Sequence, residues 1–289
     1  MASMRDIKRR KSSIQSTQQI TKAMKLVSTV KLQRTKQRAE QSKTYFESMY
    51  KTVTSMLSKT GSLNHPYLKA GDSEKKAVIV ITSNRGLAGG YNSNVTKLIT
   101  KGEFNKEDLV LYTIGKKGNE TFRRMGYNVV WDNSEMIEEP KYDDAMQLSK
   151  EILSGFSNGE FGEIYLAYTA FKNTISHEPK LVKLLPYEAD ESDEVAENEE
   201  EDDNVLMNFE PRDEEALNLI IPKYITSLIF GGMVEAAASE NGARMQAMDS
   251  ATSNAEEMIS SLSLMYNRAR QGSITQELTE IVAGANAIS

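Results

Sequence analysis

The 289 residues predict an α/β protein: a central domain of alternating strands and helices, flanked by two long terminal helices that pair as an antiparallel coiled coil. Three observations carry this. A run without proline or glycine opens the chain, a heptad pattern closes it, and short apolar runs alternating with helical stretches fill the middle.

The first helix is predicted over 1–60. From Arg5 to Lys59 the residues are mostly Lys, Gln, Arg, Ser, Thr, Met and Leu, many of them good helix formers. At about 1.5 Å per residue such a helix reaches roughly 80 Å, more than the width of a compact domain. Residues 1–59 hold 14 Lys/Arg against Asp6, Glu40 and Glu47, a net +11. Ile7, Ile14, Ile20, Met24, Val27, Val30 and Leu32 recur at mixed spacings and predict a narrow apolar stripe, suited to one partner helix.

The second long helix is predicted over 211–289, with Pro211 in its first turn. Met245, Met248, Thr252, Ala255, Ile259, Leu262, Tyr266 and Ala269 alternate spacings of three and four, which is a coiled-coil seam. Five Lys/Arg against ten Asp/Glu give this segment a net −5, complementary to the first helix. It is the longer of the two, so about 20 residues, or roughly 30 Å, are expected to run on unpaired.

Between them, residues 77–210 form the predicted α/β domain, Rossmann-like in its alternation. "AVIVIT", "LVLYTI", "YNVVW" and "EIYLAYTAF" predict strands, and 92–101, 116–125 and 142–157 predict helices. "EPKLVKLLPYE" and "NVLMNFEP" predict a late strand pair. The segment between them carries 11 acids in 188–203, too charged to pack, and predicts a solvated loop.

Several function classes are excluded by composition. Without cysteine there are no disulfides, thiolate metal sites or cysteine nucleophiles. The two histidines, His65 and His177, read as surface or loop residues, and no Ser/His/Asp arrangement or metal site is expected. The basic opening lacks the apolar core of a secretory signal, and no uncharged apolar stretch approaches the roughly 20 residues of a membrane span. Any membrane contact is expected to go through partners.

"TSNRGLAGGYN" follows the first predicted strand and invites a nucleotide-binding reading. Gly86, Gly89 and Gly90 give G-x-x-G-G, however, not G-x-G-x-x-G. The second strand ends in "YTIGKKG", with no carboxylate for a ribose, and no Lys-Ser/Thr follows the glycines as a P-loop needs. A tight strand-to-helix turn is the expected role.

"IKRRKSSIQSTQQITKAMKLVSTVKLQR", "TSNRGLAGGYN" and "ENGARMQAMDSATSNAEEMISSLSLMYNRARQGSITQELTEIVAGA" together resemble the gamma subunit of the rotary F-type ATP synthase, over essentially the whole chain. That resemblance implies a central rotor shaft coupling proton (or sodium) flow to ATP synthesis, non-catalytic itself and without cofactor or metal. The implied partners are three alpha and three beta subunits, the epsilon subunit and the membrane c-ring, at the cytoplasmic face of the cell membrane. It further implies coupling contacts to beta at Met24, facing an acidic lever loop, with Lys25 and Lys22 beside it, and at Arg244, Arg268, Arg270, Gln271, Thr275 and Glu277. Two other readings compete: a basic coiled coil that binds nucleic acid through the +11 helix, and a nucleotide-dependent enzyme using the middle domain.

Overall fold

A central strand with five consecutive apolar residues, 77–81, calls for cover on both faces, and the structure supplies it. The computed structural model describes residues 3–59, 66–69, 71, 73–102, 104–187 and 213–288. Along these run α1 (Met4–Lys59), β1 (Lys76–Ile81), α2 (Tyr91–Thr100), β2 (Leu109–Ile114), α3 (Lys116–Arg124), β3 (Asn128–Asn133), α4 (Tyr142–Ser157), β4 (Glu163–Phe171), β5 (His177–Leu185) and α5 (Asp213–Ile288). They divide into two compact units: Val30–Ala243, and Met1–Thr29 together with Arg244–Ser289.

The larger unit is built on one sheet of order β3-β2-β1-β4-β5. β1 to β4 are parallel, and β5 returns antiparallel to β4. β1 lies at the centre and is buried from Ala77 to Ile81. Alternation sends Ala77, Ile79 and Ile81 into one cluster with Leu148 and Ile152 of α4 and Leu217, Ile221, Ile225 and Ile229 of α5. Val78 and Val80 point the other way, towards Val95 and Ile99 of α2 and Phe122 of α3. A parallel sheet covered on both faces therefore reads in sequence as near-continuous apolar runs.

α5 contains an 18-residue window with a mean hydropathy of 1.4, of which 56% is buried. Its four-residue stripe from Leu217 to Ile229 is core packing against the sheet.

The predicted late strand pair is half described: β5 forms a hairpin with β4. The second run, "NVLMNFEP", lies outside the described residues, as do the acidic segment 188–203, Pro211 and His65.

One ion cluster ties three strands together. Glu163 of β4 receives Lys76 of β1 at 2.7 Å, Lys183 of β5 at 3.1 Å and the Tyr165 hydroxyl at 3.0 Å. Burial pushes the Glu163 carboxyl up, but the donated hydrogen bonds from Lys76, Lys183 and Tyr165 outweigh it and hold the group at about 2.

Candidate functional site

Open α/β sheets bind ligands beyond the carboxyl end of the strand where the order reverses, here β1. The glycine-rich turn 83–90 stands there. Gly89 has φ 57° and uses glycine's freedom, but the other left-handed residue is Leu87, at φ 63°. Gly90 has φ −83° at the start of α2, and a side chain at Gly86 would meet open space. The turn is closed by its own polar groups: the Ser83 amide donates to Asn92 Oδ1 at 2.9 Å, and the Ser83 hydroxyl to the Arg85 carbonyl at 2.6 Å.

The neighbouring helix start, after β2, is likewise filled from within. The amides of Lys116, Lys117 and Gly118 donate to Asn84 Oδ1, the Ser83 carbonyl and Thr82 Oγ1 at 3.1, 3.0 and 2.8 Å. Those are the first-turn donors with which such a helix would hold a phosphate, and all three are taken. The glycine-dependent contact of this region is therefore structural. Gly115, at φ 96°, leaves no room for a Cβ, which would lie 2.0 Å from the Thr82 carbonyl oxygen.

The smaller unit offers a different kind of site, a surface. In it α1 and α5 face each other, with Gln18 Nε2 on Glu256 Oε1 at 3.0 Å, Thr21 Oγ1 on Thr252 Oγ1 at 2.8 Å and Lys25 Nζ on Asp249 Oδ1 at 2.6 Å. As the α1 number rises the α5 number falls, so the helices are antiparallel and paired residues sum to 273 or 274. The seam on α5 is the predicted one: Met248, Ala255 and Leu262 are buried, and Met245, Thr252, Ile259, Tyr266 and Ala269 half-buried.

On α1 the prediction needs correction. Ile7, Ile14 and Met24 are half-buried and Leu32 is buried, but Ile20, Val27 and Val30 are 59%, 58% and 52% exposed. Between Met4 and Ser28 a shielded seam runs through Met4, Ile7, Lys11, Ile14, Gln18, Thr21, Lys25 and Ser28 at alternating three and four, with half-buried Met24 beside it. Five of the eight seam positions are polar, so apolar residues alone lead off the seam. Extending the α5 heptad onto α1 would have found Gln18, Thr21 and Ser28, which composition conceals.

By this register Met4 lies opposite Arg270, so residues 271–288 run beyond the first turn of α1. Up to residue 286 they are exposed, except for the half-shielded Ser273. Ile274, Leu278, Ile281 and Val282 form an apolar stripe on this single helix.

The coupling positions implied by the resemblance all fall in this unit. Met24 is half-buried beside the seam, Lys22 is exposed, and Lys25 spends its charge on Asp249. Arg244 is half-buried, whereas Arg268, Arg270, Gln271, Thr275 and Glu277 are exposed near the end of the pairing and beyond it. Thr275 Oγ1 donates to the Gln271 carbonyl at 2.9 Å, and Glu277 accepts from Ser273 at 3.3 Å. His177 was expected on a loop or the surface; instead it begins β5, with both ring nitrogens shielded.

Comparison with known proteins fits this geometry. A family model described as ATP synthase matches residues 3–288. The chain is 65% identical over 291 residues to the ATP synthase gamma chain of Lachnoclostridium phytofermentans, covering 100% of both. It is 41% identical to the sodium ion specific ATP synthase gamma chain of Acetobacterium woodii, covering 99% of both. Among solved structures it matches a chain of the Euglena gracilis mitochondrial ATP synthase, OSCP/F1/c-ring, with TM-score 0.70 and 18% identity over 99% of this chain and 94% of that one. That likeness speaks for the fold. None of these matches supports the nucleic-acid reading of α1. The family model matching residues 3–288 and an identity of 65% that runs the full length place this chain in the ATP synthase gamma-chain family.

Proposed function

We propose that this chain is the rotor shaft of an ion-driven ATP synthase, turning inside a ring of three alpha and three beta subunits and carried on a membrane c-ring with an epsilon subunit. The full-length 65% identity to a gamma chain carries this reading. In it the chain has no catalytic groups of its own and sits at the cytoplasmic face of the cell membrane, held there by its partners. Residues 1–60 and 211–289 serve as the two rods and 77–210 as the domain that joins the shaft to the ring.

The helix pair suits a contact that must be made and broken repeatedly. Met24 and exposed Lys22 offer beta an adaptable thioether and a cation, while Lys25 fixes the local helix pair through Asp249. Arg244, Arg268, Arg270, Gln271, Thr275 and Glu277 supply polar contacts that water can replace between positions. The stripe Ile274, Leu278, Ile281 and Val282 suits a nonpolar collar around the single helix.

Mixing the purified chain with alpha and beta subunits of a close relative tests this. A stable complex holding one copy of this chain per three beta, with ATP hydrolysis that depends on its presence, is the expected result. Failure to associate, with the chain folded and all subunits soluble, refutes it.

A further inference from the structure

His177 takes no part in the proposed function, and its surroundings are unusual. Its ring stacks on Phe171, across the β4–β5 pair, with centroids 5.9 Å apart and planes at 28°. Its far edge lies against α5 at Gly242, where an added Cβ would meet Cε1 at 2.6 Å and Nε2 at 2.9 Å. Both ring nitrogens are shielded, and neither has a hydrogen-bond partner among the described residues. Ser239, one helical turn earlier on α5, is fully buried with an equally unpartnered hydroxyl.

We propose that His177 is an acid-sensitive wedge between the β4–β5 hairpin and α5: neutral, it fits against Gly242, and protonated, it opens that contact. An imidazolium there needs acceptors for two N–H groups, and among the described residues neither nitrogen has one within hydrogen-bond reach; the Thr174 carbonyl, near the same point of Gly242, is not bonded to the ring. Nor do nearby charges take that role. On the hairpin, Lys172 and Glu178 pair with each other, and Lys180 adds positive charge on the strand face opposite His177. On α5, Glu235 accepts the Phe171 amide at 3.3 Å, and Glu240 is engaged in interactions of its own. Arg244, the next charge along α5, belongs to the other unit.

Burial alone pulls the imidazole below its ordinary value. The sign follows. Above an unfolded value of about 6.5 neither state is charged; below it the open form takes the proton first, so acid favours opening. Gly242 is the penultimate residue of the larger unit, so the contact loosened is the one where α5 leaves it.

The test uses the full chain with isotope-labelled histidines, His65→Gln assigning the two signals, and hydrogen exchange at pH 5 and pH 7.5 corrected for intrinsic rates. His177 is expected to titrate below an ordinary imidazole. Amides in 171–177 and 238–243 should then open more often at pH 5, by roughly tenfold for a displacement of one unit and by no more than about thirtyfold for a larger one. His177→Phe should abolish the difference, and if it fails to fold, His177→Gln supplies a neutral, non-titrating replacement. A His177 signal titrating at or above about 6.5, or an acid response that persists in the non-titrating variant, overturns the proposal.

Discussion

The sheet of the larger unit and the helix pair of the smaller one bury their residues on opposite terms. β1 hides five consecutive side chains, and its neighbours meet it from both faces. The helix pair hides a seam one or two residues wide, interrupts it with Gln18, Thr21 and Lys25, and leaves Ile20, Leu26 and Val27 in solvent. A dry two-faced core makes one arrangement far better than any other. A narrow, partly polar seam holds two helices together while leaving most of their circumference for other molecules, which is what a shaft needs.

That contrast can be broken most forcibly at Gly115. Gly115→Ala places a methyl against the Thr82 carbonyl in a backbone region closed to side chains, and a loss of about 4 kcal/mol or outright failure to fold is expected in urea unfolding. Ile79→Ala should cost about 3 to 4 kcal/mol by the same measurement, through the cavity left at the sheet centre.

Glu163→Gln should cost about 2 kcal/mol, because Lys76 and Lys183 lose their shared anion. The parent protein carries the matching pH dependence. A carboxyl depressed to about 2 in the fold contributes stability that is complete above its unfolded value of about 4.3 and lost as pH falls through 2. Acid titration of Glu163→Gln should lack that component.

Smaller effects are expected in the helix pair. Leu262→Ala should cost about 1 to 2 kcal/mol, felt as faster hydrogen exchange in residues 4–29 and 244–270, with the sheet unchanged. Thr21→Val with Thr252→Val, which swaps a hydrogen bond for apolar contact, should move stability by less than about 1 kcal/mol in either direction. Arg268→Ala, at a position exposed in this chain alone, should change melting by almost nothing while weakening the function of the assembled complex.

What could be read in advance follows the same division. β1, β2 and β4 are buried, so their apolar runs mark them in sequence, and the α5 seam keeps its heptad because its members are mostly apolar. The α1 seam was misplaced because its period is carried by Gln18, Thr21 and Ser28, whose residue types say nothing of burial. The glycine turn stands out by composition, yet close packing near it falls to Gly115 and Gly118, which sit against Thr82. That packing joins residues more than thirty positions apart, and no local pattern announces it. His177 was hidden for the same reason: Phe171 and Gly242 meet it only in the folded chain.

The central claim is that the chain turns. With no native cysteine, Glu107→Cys on the exposed surface of the larger unit gives a single attachment point for a bead, with the assembled alpha and beta ring fixed to glass through beta. ATP should drive the bead in one direction with three pauses per turn. Steady ATP hydrolysis by the same complexes, with the bead showing only undirected motion, would contradict the account.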